Sequence, residues 1–131
     1  MYKRQLINFV VSSAIKPENE EFSYCREKNL SIKHRSEILA MLMGSYTSLA
    51  VAGSHGKTST STFLSTILEL CTHNSSSITG GIIPIYNSNC HLENTKFLVA
   101  EVDESDGTIN RYKSDIGIIN NIDFDLSLIH I

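Results

Sequence analysis

Gly53-Ser54-His55-Gly56-Lys57-Thr58 carries the parts of a phosphate cradle in working order. An apolar run at 49–52 delivers the chain into this turn, and Lys57 and Thr58 open the helix expected after it. Gly53 and Gly56 permit backbone conformations that a side chain would forbid, so amide N–H groups can converge on phosphate oxygens at the positive end of a helix. Lys57 would neutralise β and γ oxygens, and the Thr58 hydroxyl would ligate Mg²⁺. The spacing is unusual. The common phosphate loop has four residues between its glycines, whereas Ser54 and His55 are the two that stand here.

A second set of candidates closes the apolar run at 97–102, in the order Glu101-Val-Asp103-Glu104-Ser105-Asp106-Gly107. Glu101 ends the expected strand, where a carboxylate can face Thr58 across nucleotide phosphates; one carboxylate is enough for Mg²⁺, which keeps waters and phosphate oxygens as its other ligands. Asp103, Glu104 and Asp106 compete for the same role, and a solvated acidic loop is the alternative for all four. A third run at 115–120 ends in Asn120-Asn121-Ile-Asp-Phe-Asp125. Ligands of open α/β sheets lie beyond the carboxyl ends of the strands, so these three loops are expected to share one cleft. His55 lies inside the cradle, placed either to touch a phosphate or substrate oxygen or to face solvent. His34, His73, His91 and His130 have no partner pattern and read as surface residues.

The elements that must position these residues alternate in type. Strands are expected at 6–11, 30–33, 47–52, 97–102 and 115–120, and helices from Pro17 to about Asn29, from Glu37 to Met43, and from Lys57 onward. Ser36 is a candidate N-cap and Gly44 a terminator for the second helix. The third is expected to bury Phe63, Leu64, Ile67, Leu68 and Cys71 at three- and four-residue spacing. Residues 72–77 read as a polar loop, and 78–84 as a second glycine turn. The pattern predicts an α/β fold: a mostly parallel sheet with helices on both faces.

Length and charge set the limits. One modest domain, or parts of two, fits in 131 residues, and 41% hydrophobic content suits a globular chain. The formal charge of −3 offers no basic surface for nucleic acid. Neither a membrane-spanning run nor a secretory leader is present in the sequence, so no membrane insertion is expected and the cytoplasm is the expected location. Cys25, Cys71 and Cys90 are odd in number and lack CxxC spacing, which argues against a disulfide framework or a zinc site.

Four segments together, Gly53-Ser-His-Gly-Lys-Thr58, Ile78-Thr-Gly-Gly-Ile-Ile83, Val99-Ala-Glu-Val-Asp-Glu-Ser-Asp-Gly107 and Asn121-Ile-Asp-Phe-Asp125, resemble the Mur ligases of peptidoglycan synthesis in order and spacing. The upstream segment Val11-Ser-Ser-Ala-Ile-Lys-Pro17 resembles the loop of the family's UDP-sugar domain, and the likeness covers about residues 9–125. The resemblance implies a P-loop type ATPase core preceded by part of a Rossmann-like UDP-sugar domain, divided here as 1–46 and 47–125, with 126–131 divergent. It implies an ATP- and Mg²⁺-dependent ligase that phosphorylates the carboxylate of UDP-N-acetylmuramate and passes the acyl group to an amine, with L-alanine the amine of the nearest members. Residue by residue, Gly53, Ser54, His55, Gly56, Lys57, Thr58, Ser59 and Asn121 correspond to the ATP site. Lys57 and Glu101 correspond to the catalytic pair, and Thr58 and Glu101 to the metal ligands. Ser12, Ser13, His55 and Ser105 correspond to the substrate side.

Departures from the family pattern carry their own expectations. Leu126 stands where the family has a metal-binding histidine, and the closing Leu-Ser-Leu-Ile-His130-Ile131 matches nothing in the family. A truncated or misread gene end is the expectation for that tail; because the family's first glycine-rich unit, the rest of its ATPase domain and its C-terminal domain have no counterpart in these residues, the chain is expected to be inactive by itself. A tripeptide-recycling ligase of the same family is the nearest rival, although an aromatic residue after the glutamate would be expected there. Folylpolyglutamate synthetase shares the loop but not Ser12-Ser13-Ala-Ile15. A non-catalytic nucleotide-binding module is the rival from another class.

Overall fold

The computed structural model describes residues 8–103 and 107–122. Leu6 and Ile7, the acidic-loop residues Glu104, Ser105 and Asp106, and the segment 123–131 with Leu126 and His130 lie outside the described residues.

A short unit comes first. Strand β1 (Asn8–Val11) pairs in parallel with β2 (Ser31–His34), and helix α1 (Glu20–Glu27) connects them. The helix begins three residues later than expected from Pro17. Asn19, not the proline, caps it, its side chain accepting from the Phe22 N–H at 3.0 Å. Helix α2 (Arg35–Met43) follows β2 directly, and Ser36 is not its cap. His34 takes that place: its ring accepts from the Ser36 N–H while the Glu37 carboxylate accepts from the His34 N–H at 2.9 Å, a reciprocal box that satisfies two orphan donors. His34 is therefore a structural residue with partners, contrary to its reading as a surface histidine.

The larger sheet has the order β5-β4-β6-β3-β7. Its centre is β3 (Thr47–Ala52) and β6 (Phe97–Glu101), paired in parallel and buried on both faces. Ala50, Ala52, Leu98, Ala100 and Val102 pack with Met43 of α2 on one face. Helix α3 (Lys57–Leu70) covers the other face, against β4 and β6. Helices thus lie on both faces, as expected.

Three expectations about this sheet fail. Residues 75–83 are not loop and glycine turn but one nine-residue strand, β4 (Ser75–Ile83), parallel to β6; only 71–74 connect α3 to it. It opens with three serines, a polar signature; Ser77 meets a serine of α3, while Ser76 Oγ donates to the Glu93 carbonyl at 3.3 Å. An antiparallel edge strand, β5 (Ser88–His91), was not foreseen. Strand β7 (Ile116–Ile119) does not repeat the buried design of β6: Ile116 and Ile119 are 51% and 62% exposed, as an edge position among the described residues allows.

Helix α3 also reverses its expected face. Phe63, Ile67 and Cys71 are exposed, Leu64 and Leu68 half-buried, and Ser61 and Ser65 fully buried. Small side chains let the helix approach the sheet closely, and their hydroxyls stay satisfied. The Ser65 hydroxyl donates to the Ser61 carbonyl at 2.9 Å, and the Ser77 hydroxyl of β4 donates to Ser65 Oγ at 2.8 Å. Ser65→Leu is expected to overpack this seam and destabilise the chain by about 1–3 kcal/mol, read as a lowered urea midpoint with unchanged slope.

At the far edge Tyr86 stacks on His91, ring centroids 3.8 Å apart, and donates its hydroxyl to Glu69 Oε2 at 3.1 Å. Burial first, then the Glu69 acceptor and its charge, push the phenol up to about 12. The folded state thus favours the neutral phenol. Its contribution is complete below an unfolded value of about 10 and is lost as pH rises towards the folded one. Tyr86→Phe is expected to flatten the loss of stability in that alkaline window, measured by urea unfolding at successive pH values.

Candidate functional site

Strands β3 and β6 are neighbours, yet the connections that leave their carboxyl ends take opposite faces of the sheet. After β3 the chain enters α3 on one face; after β6 it passes through the short 3-10 turn Thr108–Arg111, which lies against α2 on the other. Such a divergence opens a crevice at the carboxyl edge. The phosphate loop fills one side of it.

Gly53 has φ 135° and Gly56 φ 78°, both in territory that L side chains rarely enter. Crowding reinforces the requirement at Gly53, where an added Cβ would lie 3.1 Å from the Asn120 side chain and from the Asn121 carbonyl oxygen. Lys57 begins α3 and returns its ammonium to the Gly53 carbonyl at 2.6 Å, so the cation is held over the loop. Asn121 secures the loop from the end of β7. Its side-chain oxygen accepts from the His55 N–H at 2.9 Å and its amide donates to the His55 carbonyl at 3.1 Å. The His55 residue is exposed, and its backbone rather than its ring carries these bonds. Asn120 was not singled out from the sequence. Its amide donates to the His55 carbonyl at 3.3 Å and its oxygen accepts from the Thr60 hydroxyl at 3.2 Å. The doubled asparagine after an apolar run was the available signal.

Thr58 and Glu101 meet. The threonine hydroxyl lies 3.1 and 3.0 Å from the two carboxylate oxygens, and Glu101 Oε2 also accepts from the Gly80 N–H at 2.7 Å. Mg²⁺ holds oxygens at about 2.0–2.1 Å in near-octahedral geometry, which places adjacent ligand oxygens about 2.9 Å apart. In the structure the Thr58 hydroxyl donates to Glu101; the same separations also match one edge of such an octahedron, so the pair could hold a shared cation, which when bound would supply charge neutralisation for phosphate oxygens. Gly80 and Gly81 make room for the pair. A Cβ on Gly80 would lie 3.0 Å from Glu101 Oε1, and one on Gly81 only 2.8 Å from Thr58 Cγ2.

The remaining candidates separate from this group. Asp103, a competitor for the metal, instead accepts from Arg35 Nη2 at 2.7 Å. Glu104, Ser105 and Asp106 fall outside the described residues. Ser59 is exposed in the first turn of α3. Ser12 and Ser13 belong to the loop after β1 in the smaller sheet, where Ser13 Oγ is 3.0 Å from His34 Nε2. Among the described residues no cluster of three or more histidine, cysteine or acidic side chains is arranged for a metal, and no helix is long and apolar enough to cross a membrane.

The model of the Mur ligase family, catalytic domain, matches residues 1–47. A UDP-N-acetylmuramate–L-alanine ligase of Prochlorococcus marinus subsp. pastoris is 76% identical over 124 residues, covering 95% of this chain and 26% of that protein. The chain belongs to the Mur ligase family. A ligase of the same name from a Synechococcus species is 47% identical over 116 residues, 88% of this chain and 24% of that one. The chain therefore spans about a quarter of the length of the curated relatives it matches. Among solved Mur ligase structures, the UDP-N-acetylmuramate–alanine ligase of Thermotoga maritima aligns with TM-score 0.84 at 23% identity, over 90% of this chain and 28% of that one. A UDP-N-acetylmuramate:L-alanyl-gamma-D-glutamyl-meso-diaminopimelate ligase from Neisseria meningitides gives 0.84 at 22%, over 92% and 42%. At those identities both speak for the Mur ligase fold alone.

Proposed function

We propose that these residues form the ATP- and Mg²⁺-binding part of a ligase that joins L-alanine to UDP-N-acetylmuramate in the cytoplasm. The observation that carries the reading is the Thr58–Glu101 edge at the mouth of the Gly53–Thr58 loop. The names of the relatives support the choice of substrates.

Lys57 and the loop amides draw charge from the transferring phosphoryl group. An oxygen of the sugar's lactyl carboxylate attacks the γ-phosphorus and ADP leaves. The amine of L-alanine then attacks the acyl carbon, phosphate departs with the C–O bond electrons, and the amine's proton passes to solvent. In this reading Lys57 and Glu101 are the catalytic pair. Gly53, Ser54, His55, Gly56, Ser59 and Asn121 line the nucleotide, while Ser12, Ser13, His55 and Ser105 serve the substrate side. Residues 1–46 close the UDP-sugar unit and residues 47–125 open the ATP-binding unit.

The part assigned to the 131 residues themselves is binding of Mg·ATP. Calorimetric titration with ATP is expected to show affinity that rises with Mg²⁺ and collapses in Lys57→Ala. Binding indifferent to both the metal and Lys57 would overturn the assignment.

A further inference from the structure

A cavity of about 300 Å³ opens beside the phosphate loop, lined by the start of α2, the middle of β4 and the carboxyl end of β6. Lys57 and Glu101 line it together with Arg35 and Asp103, and Leu39 and Val102 contribute apolar surface. The site already described thus supplies only part of the lining. Whatever fills the rest lies next to the groups that handle the transferring phosphoryl.

Arg35 is placed there by local structure. It is the first residue of α2, and the His34–Glu37 capping box together with Arg111, whose Nη1 donates to Ser36 Oγ at 2.9 Å, fixes the turn that bears it. Asp103 takes one of the five guanidinium N–H donors, at 2.7 Å, and leaves the side chain about half exposed at 48%. An ion pair so open to water contributes little to stability. The planar fork is, however, suited to a carboxylate.

We propose that Arg35 binds the carboxylate of the acceptor substrate and presents it to the phosphoryl group, with Asp103 holding the guanidinium in orientation and competing for it. The proposal rests on the ligase reading above and deepens it. Two anions must approach each other for carboxylate phosphorylation. A second cation lining the same cavity as Lys57 offsets their repulsion. Because Asp103 is a rival carboxylate on the same fork, its effect has a distinctive sign: removing its charge strengthens acceptor binding.

The test uses the ¹⁵N-labelled 131-residue chain saturated with Mg²⁺ and ADP. The Arg35 side-chain Nε–Hε resonance is identified by its loss in Arg35→Lys. The probe is UDP-N-acetylmuramate and the counter-probe UDP-N-acetylglucosamine, which carries the same UDP-sugar without the lactyl carboxylate. The resonance is expected to shift and saturate with the acid and to stay fixed with the counter-probe. Arg35→Lys is expected to bind the acid about tenfold more weakly. Asp103→Asn, which retains an acceptor for the guanidinium but no charge, is expected to bind it several-fold more tightly. A silent resonance, or weaker binding in Asp103→Asn, overturns the proposal while leaving the nucleotide site in place. Failure of Mg·ADP to bind at all overturns the ligase reading and the proposal with it.

Discussion

Glu101→Gln is expected to lower the Mg²⁺-dependent component of ATP affinity by about 100-fold, at the top of the range for disrupting a metal site's supporting shell, because it removes a ligand outright. The glutamate carboxylate now receives the Thr58 hydroxyl and the Gly80 N–H, with its two oxygens 3.1 and 3.0 Å from Thr58 Oγ1. Glutamine keeps the shape but offers one acceptor where two are engaged, and its amide N–H₂ points donors at a cation. Affinity for ATP without metal should change little, since Lys57 and the loop amides are untouched. Titration of both proteins with and without Mg²⁺ separates these terms. An equal loss in both conditions would mean that Glu101 shapes the loop and holds no ion.

Gly81→Ala is expected to lower the same metal-dependent affinity by tenfold or more, although Gly81 offers no side chain to any ligand. Its new methyl would sit 2.8 Å from Thr58 Cγ2, closer than carbon atoms tolerate. Relief requires the threonine to rotate, which carries Oγ1 away from Glu101, or the strand to yield at a cost of about 1–3 kcal/mol in stability. The clash involves only Cγ2. Thr58→Ser deletes that atom and retains the hydroxyl, so the double variant Gly81→Ala with Thr58→Ser is expected to recover most of the metal dependence. Serine without the alanine should bind near wild-type strength. Recovery absent from the double variant, with its fold verified by circular dichroism, would show that the strand and not the threonine had moved.

The loop and its two strands were legible because each carried a local signal with a mechanism: β3 and β6 as apolar runs, Gly53 and Gly56 as positions for positive φ, Lys57 and Thr58 at a helix start. Their convergence with Asn121 followed from a general rule about strand ends. Failures came where chemistry depended on a partner far along the chain. Ser75, Ser76 and Ser77 read as a loop because a hydroxyl in the interior is costly unless something meets it, and what meets Ser77 is Ser65 on α3. The same pairing inverted the expected face of α3, whose Phe63 and Ile67 turn outward. His34 was passed over because an N-cap histidine is outside the usual capping set. Gly80 and Gly81 looked like turn residues, yet they lie inside a strand and are needed for the room they leave to Thr58 and Glu101.

The contact between Thr58 and Glu101 spans 43 positions of sequence, and it exists only once β6 has inserted between β3 and β4. Parallel pairing of that kind closes long loops before any contact rewards it, which makes it slow. The helical start that carries Lys57 needs no such wait. During refolding the chain is therefore expected to form the helical start bearing Lys57 early, and both the loop held by Asn121 and the Thr58–Glu101 contact late. A nucleotide added at the outset would meet first the charge of Lys57, and only afterwards a site that recognises the metal complex.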